Sequence, residues 1–154
     1  MRFILVLFAL FSTAAVSIAQ EREWTLNASE KEAFLVFGVP DTDDVGLSFW
    51  CEIGTNKLSI FVNNISGQLK QDQTATIAIE INNKKFSVKA KAAVEKLGSL
   101  KSLEGQIAST DPILKAAENG STLKTSILGH TNTYPLIDAD FTGLLRTCAG
   151  DVVN

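Results

Sequence analysis

Residues 41–52 hold the most suggestive spacing in the chain. Asp41, Asp43, Gly46 and Glu52 fall at positions 1, 3, 6 and 12 of a calcium-binding loop. Position 5 is Val45, which has no side-chain oxygen, and residues 47–53 read as a strand. An extended strand carries Glu52 away from Asp41 at about 3.3 Å per residue, so the segment reads as an acidic turn without a metal. His130 is the only histidine, which leaves a histidine zinc site without partners. It stands between Gly129 and Thr131 in an expected loop. A Ser-His-Asp triad with Asp138 or Asp140 would need a nucleophile elbow, and no Gly-x-Ser-x-Gly occurs. The acidic pairs in turns have no glycosidase context. No catalytic residue, metal site or cofactor is therefore assigned.

The two cysteines, Cys51 and Cys148, carry different chemistry. In an exported chain they pair, because that compartment is oxidising, and a disulfide removes both as nucleophiles. Export is indicated by the first nineteen residues. Met1-Arg2-Phe3 is a short positive region, Ile4 to Phe11 is apolar, and Ser17-Ile18-Ala19 supplies the small residues of a cleavage site before Gln20. The expected organisation is a cleaved signal peptide, 1–19, and one β-rich domain, 20–154. No later stretch is apolar enough to span a membrane. The whole chain carries 14 basic and 17 acidic residues, and cleavage removes Arg2, so the domain is mildly acidic and a poor nucleic-acid binder.

The elements that must position these residues are mostly strands. Val45 to Ile53 alternates Leu47, Phe49, Cys51 and Ile53 against Ser48, Trp50 and Glu52. A turn at Gly54-Thr55-Asn56-Lys57 leads into Leu58 to Asn64. That loop would pair Cys51 with Ile60, Phe49 with Val62 and, on the other face, Trp50 with Phe61. Trp50 and Phe61 are then either covered by another element, the plainer reading, or a contact patch. Trp24-Thr25-Leu26-Asn27 is a short first strand in which Trp24 anchors the N-terminus. Glu32 to Val39 has apolar residues on both parities and reads as covered on both sides.

Thr74 to Ile81 and Lys84 to Val94 form the clearest hairpin. Asn82-Asn83 suits a two-residue turn at positive φ, and the register sets Ile79 against Phe86, Ile77 against Val88 and Glu80 against Lys85. Lys85, Lys89 and Lys91 line its polar face. They are either a basic strip for a partner or, more economically, lysines guarding an edge strand. Leu103 to Ser109 is a weaker strand. Asp111-Pro112 starts a helix over Ile113–Asn119 with Gly120 as its stop. Thr122 to Leu128 is a strand and Thr133 to Ile137 is extended. Asp138 or Asp140 caps a last helix whose Phe141, Leu144, Leu145 and Cys148 form one apolar stripe. Seven or eight short strands and two short helices predict a mainly β fold. The expected form is an antiparallel β-sandwich or partly closed barrel, with the C-terminal helix stapled by the disulfide.

The second half carries a resemblance. Asp111 to Lys124 is a short helix, a glycine and a strand. Tyr134-Pro135-Leu136 and the helix Phe141 to Cys148 follow. This order, over roughly the last forty-five residues, resembles exported proteins of the invasion-associated locus B type and their Gram-negative relatives. Those often have more cysteines. The resemblance implies an envelope β-sandwich and transfers no catalytic residue. A looser similarity is to small periplasmic inhibitors of lysozyme, without a matching inhibitory loop. Asn27-Ala28-Ser29, Asn64-Ile65-Ser66 and Asn119-Gly120-Ser121 are glycosylation sequons that a bacterial chain leaves unmodified.

The expectation is thus a non-enzymatic periplasmic or secreted binding protein. Its partner is a protein of the envelope or of a host surface, met through Trp50 and Phe61 or through Lys85, Lys89 and Lys91. An inhibitor of a wall-degrading enzyme is the alternative, and a hydrolase built on His130 comes third.

Overall fold

The computed structural model describes residues 21–63, 69–94 and 101–151. The expected leader 1–19, the sequon at Asn64 and the connection at 95–99 lie outside them. Nine strands and two helices follow in the order β1 Glu23–Ala28, β2 Glu32–Gly38, β3 Val45–Glu52, β4 Lys57–Val62, β5 Thr74–Ile81, β6 Lys84–Val94, β7 Lys101–Ala108, α1 Pro112–Glu118, β8 Thr122–Ile127, β9 His130–Pro135 and α2 Phe141–Cys148. All nine strands join one antiparallel sheet, ordered β1-β2-β3-β4-β7-β6-β5-β8-β9 and curled into a half-barrel. Of the two forms expected, the sheet takes the partly closed barrel.

After β4 the chain skips two places to lay down β5, and β6 and β7 fill the gap in reverse order. Between β7 and β8 the chain forms α1, and β8 then lies on the other side of β5. Strand alternation sends one parity inward: Leu35, Leu47, Phe49, Cys51, Leu58, Ile60, Leu103, Ile77, Ile79 and Leu123 are all buried. The helices cover that concave side, adding Ile113, Leu114 and Ala117 from α1 and Phe141, Leu144 and Cys148 from α2 to the same core. Each large aliphatic side chain so buried is worth about 1.5–3 kcal/mol.

Local signals act as their chemistry demands. Asp111 caps α1, accepting from the Ile113 N–H at 2.9 Å, with Pro112 in the first turn. Asp140 rather than Asp138 caps α2, accepting from the Gly143 N–H at 2.7 Å. Asn82 and Asn83 take φ of 47° and 67°, and the β5–β6 register is the expected one. Cys51 bonds Cys148, joining β3 to α2. The Gly54 N–H adds a bond to the Cys148 carbonyl at 2.8 Å.

Three expectations are corrected. The β3–β4 register is displaced by two residues: Cys51 faces Leu58, Phe49 faces Ile60, and Trp50 faces Ser59 rather than Phe61. The turn occupies residues 53–56, with Gly54 at φ 82° and the Thr55 N–H and hydroxyl both bonded to the Glu52 carbonyl, so β4 begins at Lys57. A two-residue slip leaves every side chain on its expected face, which is why alternation does not detect it. Second, β6 is central, flanked by β5 and β7, so its lysines guard no edge. Third, His130 opens β9 and pairs with Ile127; it is not in a loop. Gly120 follows the Asn119 cap of α1, as expected of its stop, without a left-handed φ. A Cβ there would lie 2.7 Å from Ile81 Cγ2 and 2.9 Å from the Ala116 carbonyl oxygen, so close packing requires the glycine.

The sheet's edges, β1 and β9, are joined by side chains. Trp24 Nε1–H donates to the Pro135 carbonyl. Tyr134 reaches across to β3, its hydroxyl 3.4 Å from the Gly46 carbonyl, and meets Phe37 of β2 edge-on at 5.5 Å.

Candidate interaction surface

The opposite parity of the same strands builds the convex face. Reading the registers from β2 to β5 gives two adjacent rows. One runs Phe34, Trp50, Ser59, Gln106 and, across the groove that Gln106 and Lys89 both line, Lys89, Thr76; the other runs Val36, Ser48, Phe61, Glu104, Lys91, Thr74. They form one belt, aromatic at the β2–β4 end and cationic at β6. Trp50 and Lys89 stand three strands apart, about 14 Å at ordinary strand spacing.

The aromatic end is a run of three rings. Trp50 lies 6.3 Å from Phe34 and 6.5 Å from Phe61, centroid to centroid, the second pair edge-on. All three are half-buried, which places them between the covered and fully exposed alternatives. The Trp50 and Phe61 rings touch although their backbones are not directly opposite, because a diagonal neighbour across a twisted pair is within aromatic reach. Trp50 Nε1 is buried and has no hydrogen-bond partner among the described residues.

In the middle of the belt the Ser59 hydroxyl donates to Glu104 Oε1 at 3.0 Å. Ser59 is one of two buried polar residues among those described, although its strand parity points it outward. Glu104 stands directly opposite Lys91, yet it makes its bond to β4. The described ion pairs are Arg22–Asp44 and Lys124–Glu80, so the ammonium groups of Lys89 and Lys91 are engaged by neither. Both lysines line a shallow groove of about 430 Å³ with Thr74, Glu104 and Gln106. That lining offers ammonium, amide, hydroxyl and carboxylate groups beside an aromatic platform, a mixture suited to binding polar chains with apolar side groups.

Trp50, Phe61, Lys89 and Lys91 thus meet on one surface. Lys85 shares the parity but lies four residues from Lys89 toward the hairpin end, about 13 Å away. Its register partner Glu80 pairs instead with Lys124 of β8, at 3.4 Å. Phe34 belongs to the belt and was hidden by the reading of β2 as covered on both sides; its outward parity was the signal. Ser59, Glu104 and Gln106 had no signal before the β4–β7 pairing was known.

The other tested residues do not converge. Asp44 pairs with Arg22, and Thr42 closes the acidic turn through the Val39 carbonyl at 2.9 Å. Glu52 stands at the far end of β3. His130 is exposed on the edge strand. Among the described residues no three histidine, cysteine, aspartate or glutamate side chains cluster, and no helix is long and apolar enough to cross a membrane. No family model, curated protein or solved structure matched the chain when it was compared with them.

Proposed function

We propose that this is a non-enzymatic, exported binding protein whose partner docks on the convex belt of β2–β4, β7 and β6. One observation carries the reading. The strand registers gather Phe34, Trp50 and Phe61 in the same two rows as Lys89 and Lys91, with the lysines in neither described ion pair. Aromatic anchors flanked by polar, solvent-accessible groups are how protein interfaces are commonly built. The signal-peptide pattern and the Cys51–Cys148 disulfide support an oxidising, exported location, periplasmic or secreted. The resemblance of the last forty-five residues to envelope proteins supports a partner in the envelope or on a host surface. The exposed His130 and the bonded cysteines support a role in binding rather than catalysis.

The test is capture from Gram-negative envelope extract and from host-surface extract, using the wild type, Trp50→Ala/Phe61→Ala and Lys89→Glu/Lys91→Glu. The expected result is a partner retained by wild type and lost with either double variant. A captured set unchanged by both variants would remove the belt from consideration.

A further inference from the structure

A second concavity lies away from the belt, where α1 crosses the end of the β5–β6 hairpin. It has a volume of about 480 Å³, within the ordinary range for small-molecule sites. Its floor is apolar: Ile81, 1% exposed, with Phe86, Pro112 and Ala116. Lys84 rises from the hairpin and Lys115 from α1. We propose that this cleft binds a medium-chain fatty carboxylate, its hydrocarbon on Phe86, Pro112 and Ala116 and its carboxylate between Lys84 and Lys115.

Charge argues for an anionic head. Neither lysine belongs to the described ion pairs. The nearest carboxylates along α1 have other partners: Asp111 caps the helix, and Glu118 accepts from the Thr142 hydroxyl at 3.2 Å. Two carbonyls at the end of α1 are also occupied. Asn119 Nδ2 donates to the Lys115 carbonyl at 2.9 Å, and the Gly120 N–H donates to the Ala117 carbonyl. Asn82 Oδ1 accepts from the backbone and hydroxyl of Ser121, which leaves its amide N–H₂ as a further donor beside the cleft. An apolar floor with a rim of donors suits one anionic group on a hydrocarbon body. A cation would meet two ammonium groups, and a polar sugar would leave Phe86 uncovered.

Decanoate, titrated below its micelle concentration into the isotope-labelled, disulfide-bonded protein, tests this by amide NMR. Saturable shifts are expected at residues 81–86 and 113–119. Lys84→Glu/Lys115→Glu changes two exposed side chains, and its amide spectrum checks that the fold is kept. It is expected to weaken decanoate at least tenfold and to leave decanol unchanged. Decyltrimethylammonium is expected not to bind. Absent shifts, shifts centred elsewhere, equal binding of decyltrimethylammonium, or full decanoate affinity in the double variant would each overturn the proposal.

Discussion

The indole N–H of Trp24 donates to the main-chain carbonyl of Pro135, 111 positions away, and so ties the first strand of the sheet to the last. The same ring packs against Phe37, Phe49 and Phe141, with centroids 5.3, 6.4 and 6.0 Å away. One side chain therefore joins both sheet edges to α2.

Trp24→Phe keeps a ring and loses the donor, and is expected to cost about 1 kcal/mol. Trp24→Ala also empties the space between three rings and is expected to cost about 3 kcal/mol. Urea denaturation of both variants checks the order. Equal stability of Trp24→Phe and wild type would show that the Pro135 bond contributes nothing net.

The disulfide joins residues 97 apart, with Cα atoms 5.9 Å apart. Closing a loop of that length removes unfolded-state entropy worth up to about 4.7 kcal/mol in the chain-entropy model. Cys51→Ala/Cys148→Ala, or reduction, is expected to lower the thermal midpoint clearly and to loosen α2 first. Hydrogen exchange should then rise in 141–148 before it rises in β2. Unchanged thermal stability in the double variant would show that the bond does not stabilise the fold.

Tyr134 is the only tyrosine, so its ionisation can be followed directly by phenolate absorbance. Burial raises its pKa from the ordinary 10.0, and Thr125, Arg22 and Asn132 only partly oppose this. The unfolded chain then releases this proton at lower pH than the folded one. The stabilising contribution is complete below pH 10.0 and is lost as pH rises through the folded value. A native titration midpoint above 10.0 is expected, returning to 10.0 in denaturant. Tyr134→Phe should lack this part of the alkaline loss of stability. A native midpoint at or below the denatured one would contradict the burial.

Gly105 lies on the inner face of β7, between Ile60 of β4 and Ala90 of β6. A Cβ there would come within 2.5 Å of Val88 Cγ1 and 3.1 Å of the Lys89 carbonyl oxygen. Gly105→Ala is expected to destabilise by about 1–3 kcal/mol through overpacking. Adding Val88→Ala should recover part of that loss, so the double variant should cost less than the two singles summed. Strict additivity would mean that Val88 is not the obstacle.

Several parts of this fold were legible because they depend on neighbours in the chain. Alternation assigned inner and outer faces from β3 to β6, since side chains on a strand must alternate. Asn82 and Asn83 could be read as a turn because asparagine tolerates positive φ. The neighbouring hairpin turn was not legible, since its first residue is Leu128 at φ 49°, a conformation its side chain disfavours. With that turn hidden, β9 shrank to an extended tail and His130 was left in a loop.

Sequence alone determined the two faces of the strands from β3 to β6, the cap at Asp111, and the pairing of the only two cysteines. These follow from local sterics, from hydrogen bonds a few residues long, and from there being only one way to pair two thiols. Tertiary structure decided the two-residue register of β3 on β4, the central place of β6, the belt from Phe34 to Lys89 and the cleft under α1. The belt depends on β4 finding β7, and the cleft on α1 packing against β5, both of them contacts between distant segments. Their free energy comes from burying a shared core, which no local pattern of residues encodes.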